Sequence, residues 1–185
     1  MRVLALADKR PPMDPALMAE QLGVEAVVCL GDLDRAWIEP LAGLALPRLG
    51  VHGNHDEPDL LREVEVQDLH GRRTALAGRT FAGFEGCVRY GGGGPYHRTQ
   101  KEGTTLARRL PAADVLLTHC PPFGINDDPA DPAHVGWTGL LEWVDRHRPR
   151  HLLHGHTHPE GGYVMTRHGE THVHWISGAR VVVLD

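Results

Sequence analysis

Five short apolar segments of the chain each end abruptly in polar residues. The segments are RVLALA, AVVCL, LPRLGV, DVLLTH and HLLHGH, and the polar endings are Asp8, Gly31-Asp32, Asn54-His55-Asp56, His119 and His156-Thr157-His158. Helical patterns lie between the segments; Asp14 followed by Pro15, for example, is the order expected at a helix start. Alternating strand and helix patterns indicate parallel strands joined by crossover helices. Because the carboxyl ends of such strands meet at one edge of a sheet, we expect the polar endings to lie close together.

The rest of the pattern predicts one α/β domain over residues 1–185 with mixed sheets. Helices are expected at 15–22, 35–42, 99–110 and 139–146. The middle, 64–86, predicts short antiparallel strands separated by glycines. Gly91 to Gly94 predicts a flexible loop, for which two interpretations stay open: it carries His97 or Arg98 to a substrate, or it is a solvated loop. The final segments YVMTRHG, THVHWI and ARVVVL are expected to form antiparallel strands.

Length and charge limit the classes of protein to which the chain can belong. Its 185 residues, 41% of them hydrophobic, suffice for one domain with a core. The formal net charge of −5 argues against an extended basic surface. A nucleic-acid partner is therefore not favoured, although a local basic patch remains compatible with that total.

Cysteine usage and hydropathy predict the compartment. Cys29, Cys87 and Cys120 are an odd number with no close pairing, which indicates a reducing compartment rather than a disulfide framework. The first apolar run is shorter than a secretory core, and nothing later approaches the roughly 18 apolar residues of a membrane span. We therefore expect a cytoplasmic protein without a membrane partner, and leave self-association into a homo-oligomer open.

The polar endings together form a set of oxygen and imidazole ligands without a thiolate. Each residue alone has an ordinary structural explanation, such as a helix cap or a turn, but five strand ends with the same property favour one common cause. The donor set suits one or two divalent ions per chain, such as Mn, Fe, Ni or Zn. A carboxylate such as Asp32 can bridge two ions, and a pair of ions suits hydrolysis at a phosphoryl centre. The substrate expected on this chemistry is a small phosphoester.

In order and spacing these residues resemble the calcineurin-like metallophosphoesterase superfamily. Its ordered motifs are Asp-X-His, Gly-Asp, Gly-Asn-His-Asp or Glu, a histidine after a strand, and Gly-His-X-His. They stand here as Asp8-Lys9-Arg10, Gly31-Asp32, Gly53-Asn54-His55-Asp56, Thr118-His119 and Gly155-His156-Thr157-His158. The stretch THCPPFGINDD also resembles the small class that hydrolyses phosphodiesters. The resemblance implies a four-layer αββα sandwich of two mixed β-sheets flanked by helices.

The resemblance implies a metal-binding role for six residues. Asp32 would bridge both metals, while Asp8 and His158 would complete the first site. The second site would be completed by Asn54, His119 and His156. The implied reaction is hydrolysis of a phosphoester, with a phosphodiester favoured over a monoester, by attack of a metal-bound water or hydroxide. A non-catalytic metal-binding scaffold of the same fold and a nuclease are the alternatives.

Two further roles follow from the Gly-Asn-His-Asp motif. His55 would protonate the leaving group or orient the phosphate. Asp56 would hydrogen-bond His55 and stabilise its charged form, which suits an acid that works near neutral pH.

Arg10 stands where the superfamily has a metal-binding histidine. A guanidinium stays protonated and offers no lone pair, so Arg10 cannot replace that ligand directly. Three interpretations remain. In the first, Arg10 binds a phosphate oxygen beside a single ion and so takes a catalytic role. In the second, the first ion binds through Asp8, Asp32, His158 and water or a histidine from elsewhere. In the third, the site is degraded past catalysis and the domain is a binding module.

Overall fold

The computed structural model describes residues 1–159 and 164–185, and its strands form two large mixed sheets. The first sheet contains, in spatial order, Gly178–Val183 (β13), Arg2–Ala7 (β1), Ala26–Cys29 (β2), Arg48–Gly50 (β3) and Gln67–Asp68 (β4). The second contains Arg167–His168 (β11), Thr171–Trp175 (β12), His151–His154 (β10), Val115–Thr118 (β9), Arg79–Phe84 (β6) and Arg73–Leu76 (β5). A separate parallel pair, Cys87–Val88 (β7) and His97–Arg98 (β8), encloses the glycine loop.

The helices flank these sheets. Four of them confirm the predicted helical segments, with changes at their ends, and the third along the chain was not predicted. They are Pro15–Gln21 (α1), Arg35–Ile38 (α2), Leu60–Glu63 (α3), Gln100–Ala107 (α4) and Thr138–His147 (α5). Asp14 accepts hydrogen bonds from two backbone N–H groups at the start of α1, as its cap position predicts. The second predicted helix gives way to a 3-10 turn at Glu39–Leu41, because Pro40 has no N–H with which to continue an α-helix. None of the helices in the described ranges is long and apolar enough to cross a bilayer.

Side chains alternate along β1 between two separate cores. Val3, Ala5 and Ala7 pack with residues of the second sheet, whereas Leu4 and Leu6 pack against the helices on the other side. This alternation is the period of two expected of a strand that is buried on both faces. The second sheet likewise packs its outer face against α4 and α5. The result is the four-layer αββα sandwich that the family resemblance implied, with cores between all layers.

The parallel strands place the site at one edge of the sandwich. Strands β1, β2 and β3 run parallel in the first sheet, and β6, β9 and β10 run parallel in the second. The predicted crossover units are thus confirmed. All five segments that end in polar residues bring their carboxyl ends to the same side of the molecule.

The pairing of several strands differs from the prediction, although β13 is antiparallel to its neighbour as expected. Strand β12 runs parallel to β10, β13 pairs with β1 in the first sheet, and β4 runs parallel to β3. Only the β5–β6 and β11–β12 pairs have the antiparallel partners expected within their own segments. Part of the predicted YVMTRHG strand lies outside the described residues. Short apolar runs carry no information about direction, which the connections between strands decide.

A buried charge network stabilises the end of β6 beside the motif that contains Asn54. The Glu85 carboxylate lies 2.5 Å from Arg98 Nη2 and 3.6 Å from ring nitrogens of His52 and His70. Burial alone would raise the pKa of Glu85, but the two histidines and Arg98 together lower it. Since His52 directly precedes the Gly53-Asn54 motif, this network connects β8 to the start of a site loop.

We predict that Glu85→Gln destabilises the fold by about 3 kcal/mol, because it leaves Arg98 with an uncompensated buried charge. Chemical denaturation at pH 7 would measure the loss. The matched control is Glu142→Gln, which removes the partner of Arg108 in an exposed pair and should cost less than about 1 kcal/mol.

The loss of stability in Glu85→Gln should depend on pH. Because the folded protein lowers the pKa of Glu85, its stabilising effect is present above the ordinary carboxyl pKa and is lost as pH falls through the lowered value. The difference in unfolding free energy between wild type and Glu85→Gln should therefore shrink in acid. An equal difference at pH 7 and in acid would contradict the role given to the charge.

Candidate metal centre

Three of the polar side chains at the strand ends sit on unusual backbone. Asp8, Asp32 and His156 have φ angles of 59°, 53° and 68°, in the left-handed region that residues with a side chain seldom adopt. Such strain costs of order 1–3 kcal/mol per residue and persists where surrounding structure fixes it, typically at functional sites. The turns after β1, β2 and β10 therefore hold these side chains in defined positions.

Four potential ligand atoms converge at the centre: Nε2 of the completely buried His119 and three atoms around it. His119 Nε2 lies 2.9 Å from Asn54 Oδ1, 3.1 Å from His156 Nδ1 and 3.5 Å from Asp32 Oδ2. Asp32, His119 and His156 can thus each direct one donor atom at a single point. Two imidazoles, an amide oxygen and a carboxylate match the ligand preferences of a borderline divalent ion.

Backbone carbonyls orient both imidazoles of this group. His119 Nδ1 donates to the Leu30 carbonyl oxygen at 2.8 Å, and His156 Nε2 donates to the Ala133 carbonyl oxygen at 2.8 Å. Each ring therefore keeps its other nitrogen, Nε2 of His119 and Nδ1 of His156, as the one that faces the common point. Outer hydrogen bonds of this kind are typical of histidines that bind metals.

The electrostatics of the centre favour a cation at that point. Burial alone would lower the pKa of His119, but the Asp32 carboxylate raises it to about 9. Burial alone would raise the pKa of Asp32, but His119 keeps it below its ordinary value. Burial lowers the pKa of His156, which stays a neutral donor, and raises that of Asp8 to about 6. Two carboxylates and a neutral imidazole thus surround the place where positive charge is preferred.

The glycines of the motifs allow loops and carboxylates to approach closely. A Cβ on Gly53 would overlap the Asp32 carboxylate, and one on Gly155 would lie 2.6 Å from Asp8 Oδ2. The Asp8 carboxylate instead accepts hydrogen bonds from the His156 N–H at 3.0 and 3.1 Å. These contacts hold the ends of β1 and β10, which belong to different sheets, against each other.

Asp56 holds two motif loops together rather than orienting its neighbour. Its carboxylate accepts hydrogen bonds from Leu33 N at 2.8 Å and from Gly53 N at 2.7 Å. No hydrogen bond joins Asp56 to the His55 side chain among the residues that the structure describes. The backbone N–H groups hold the carboxylate between the two loops, while the His55 side chain is exposed on the cavity side.

The centre opens into a cavity of about 720 Å³. His55 is exposed on its wall, and His55 N donates to Asp32 Oδ1 at 2.9 Å. His158 is also exposed and lines the same cavity, next to the buried group. The predicted metal ligands, together with His55 and Asp56, therefore all lie at the centre or in the cavity wall.

Arg10 is the exception among the predicted site residues. It is exposed and lines a separate groove with Pro12, Trp37 and Pro40, not the cavity that holds Asp8 and Asp32. The left-handed turn at Asp8 directs the following chain away from the centre. His97 and Arg98 also lie outside the cavity, where β7 and β8 hold them.

Among the cavity-wall residues that the sequence analysis missed, two contact the predicted ligands. Tyr90 precedes the glycine loop, and its hydroxyl accepts a hydrogen bond from Asn54 Nδ2 at 3.2 Å. This bond orients the amide so that Oδ1 faces His119. His134 lies in the segment before α5 and lines the cavity beside His156 and His158. Neither residue lies in a strand-end motif, which is why the sequence patterns did not select it. The segment DPAH does place Asp131 three residues before His134.

A second group of potential ligands lies away from the cavity. His52, Asp68 and Glu85 can direct donor atoms at one point. Arg98 contacts Glu85 there, however, and a fixed positive charge at 2.5 Å opposes the binding of a divalent ion. We therefore assign this group to the buried charge network at the end of β6.

The Tyr90 contact generates a testable prediction about metal affinity. Tyr90→Phe removes the acceptor that fixes the Asn54 amide, so affinity for Mn²⁺ should fall roughly 10-fold or more while the fold stays intact. Titration calorimetry with Mn²⁺ would measure it. Tyr96→Phe, which changes a buried tyrosine stacked on His52, is the control. Equal Mn²⁺ affinity in wild type and Tyr90→Phe would contradict this role.

Comparison with solved structures supports the fold. The structure of TT1561 from Thermus thermophilus aligns with a TM-score of 0.64 at 19% identity, and the match covers 96% of this chain and 89% of that one. Another crystal structure aligns with a TM-score of 0.62 at 18% identity, over 93% and 88% of the two chains. At these identities the likeness concerns the fold alone. No curated protein matches the sequence.

The family described as calcineurin-like phosphoesterase matches residues 13–160. This range contains Asp32, the Asn54 motif, His119 and His156, and begins after Asp8 and Arg10. The matched residues include the four donors that converge in the structure. With most of its length matched and the sandwich fold in place, the chain belongs to the calcineurin-like phosphoesterase family, whose members hydrolyse phosphoesters with divalent metals.

Proposed function

We propose that this protein is a metal-dependent phosphodiesterase. The observation that carries the proposal is the convergence of Asp32, Asn54, His119 and His156 on one point at the base of an acidic cavity. Asp8 and His158 adjoin this group and would hold a first ion together with Asp32. Divalent ions bound there supply acidification of water and charge neutralisation at phosphorus.

The charge of the cavity supports a diester substrate over a monoester. Its wall carries Asp34 and Glu57 in addition to the carboxylates of the centre. Arg35 also lines it, but the guanidinium is already paired with Glu57 and Glu63. Among the residues that line the cavity, no lysine or unpaired arginine is left to neutralise the second charge that a monoester carries and a diester lacks.

His55 is positioned to transfer a proton. Its side chain is exposed on the cavity wall, while its backbone is fixed by the hydrogen bond to Asp32. The role that suits this position is donation of a proton to the leaving oxygen as the ester bond breaks. Asn54, held by Tyr90, would keep its oxygen directed at the ion.

We infer Mn²⁺ as the first metal to test, since the donor set is oxygen and imidazole without a thiolate.

The cysteines bear on the compartment in which the protein works. Cys29, Cys87 and Cys120 are all free and buried. Free thiols support our proposal that the protein works in a reducing compartment such as the cytoplasm.

The central prediction concerns the buried ligands. His119→Ala or His156→Ala should remove most bound metal and essentially all hydrolysis, because each loses an imidazole of the converging group. Elemental analysis of protein purified without chelator would give the metal content, and bis(p-nitrophenyl) phosphate the activity. His172→Ala, at a half-buried position of β12 where the ring stacks on His151 and does not line the cavity, is the matched control. Unchanged metal content in both site variants would refute the assignment.

The alternatives are distinguished by substrate. Faster hydrolysis of p-nitrophenyl phosphate than of the diester would refute the diester preference. Metal-loaded protein that hydrolyses neither would favour the scaffold, and retention on heparin with cleavage of DNA or RNA would favour the nuclease.

A separate prediction concerns His55. His55→Ala should leave metal content unchanged and slow hydrolysis of an alkyl diester, a poor leaving group, by roughly 10²- to 10⁴-fold. A p-nitrophenyl diester should lose less, because its leaving oxygen needs no proton. Equal losses on both substrates would show that His55 only positions the phosphate.

A further inference from the structure

The Arg10 substitution leaves the first ion of the proposed phosphodiesterase one imidazole short. Asp8, Asp32 and His158 are the ligands that the motifs supply on that side of the centre. Arg10 is exposed and lines a different groove, so neither its charge nor its position replaces the missing donor. If two ions bind, the remaining ligand is either water or a side chain from outside the family motifs.

His134 is a candidate for such a donor. It lines the cavity together with Asp8, Asp32 and His158. Its ring centroid lies 5.2 Å from that of His156 and 5.6 Å from that of His158. The imidazole therefore stands beside both histidines of the Gly-His-X-His motif, and its side chain is about 29% exposed.

The hydrogen bonding of His134 leaves one ring nitrogen available to a metal ion. Its Nδ1 lies 2.5 Å from Asp131 Oδ2, so the carboxylate occupies one ring nitrogen and Nε2 is the one left to bind. A carboxylate on the outer nitrogen fixes the tautomer of metal-binding histidines and makes the inner nitrogen more basic. His134 and Asp131 thus resemble a metal-binding histidine and the carboxylate that orients it.

The segment that carries His134 is already part of the centre. The Ala133 carbonyl, next to His134, accepts the hydrogen bond that orients His156. Backbone hydrogen bonds at 3.0 and 2.9 Å, from Asp128 N to the His134 oxygen and from His134 N to the Asp131 oxygen, close the loop on itself. One loop therefore fixes a ligand of the second site and presents His134 to the first.

We propose that His134 is a ligand of the first divalent ion, together with Asp8, Asp32 and His158, and supplies the imidazole that Arg10 cannot. Asp131 is its positioning residue. The inference rests on the proposed function, because it requires that the centre binds metal.

Metal stoichiometry tests the proposal without reference to activity. Wild-type protein titrated with Mn²⁺ should bind two ions and show the electron paramagnetic resonance spectrum of a coupled Mn²⁺ pair. His134→Ala and His134→Gln should each bind one ion tightly, weaken the other at least 10-fold and lose the coupled spectrum, with an unchanged thermal midpoint. His172→Ala should behave as wild type.

A second pair of variants tests the positioning role. Asp131→Asn should weaken the first ion roughly 10- to 100-fold while the second ion keeps its affinity. The control is Asp128→Asn, three residues earlier in the same loop. The Asp128 carboxylate accepts a hydrogen bond from Ala130 N, and its replacement should leave the affinity for both ions unchanged.

The outcomes separate this inference from the function on which it rests. A wild type that binds no Mn²⁺ would overturn the proposed function. Two tightly bound ions in both His134 variants, or a single ion in wild type that both variants retain with equal affinity, would overturn only the role of His134. A raised KM with two ions retained would place His134 on the substrate instead and would also overturn the proposal.

Discussion

The hydrogen bond from His119 to the Leu30 carbonyl joins the two sheets at the point where the site forms. His119 follows β9 in the second sheet and Leu30 follows β2 in the first, and the bond between them is completely buried. A buried histidine without a partner for each nitrogen would cost a large part of the stability of the protein. The sheets must therefore stay in the register that pairs Nδ1 with this carbonyl, and Nε2 is then directed at Asp32, Asn54 and His156.

A second cross-sheet contact completes this constraint. The Asp8 carboxylate at the end of β1 accepts from the N–H of His156 after β10, and the close approach requires glycine at position 155. Together the two contacts mean that the cavity is built from both sheets at once. The left-handed residues Asp8, Asp32 and His156 are tolerated because so many contacts define their positions.

The centre also depends on groups that belong to no motif. Tyr90 orients the Asn54 amide, the Ala133 carbonyl orients His156, and Asp56 holds two loops through backbone N–H groups. Each contact sets the direction of a donor atom without being a ligand itself. The loop that carries the Ala133 carbonyl also brings His134 into the cavity wall, on the side where Arg10 supplies no ligand.

The sequence by itself determined the layers of the fold and the chemistry of the centre. Apolar strands that end in Asp8, Asp32, Asn54, His119 and His156 are a local pattern, and the crossover helices between them make the strands parallel, so that such endings lie together. Only the tertiary structure decided the partner strands of β4, β12 and β13, the exposure of Arg10, and the position of Tyr90 and His134 in the cavity wall. The physical reason is that strand pairing and loop position depend on how distant segments pack, whereas burial and ligand chemistry are properties of the residues themselves.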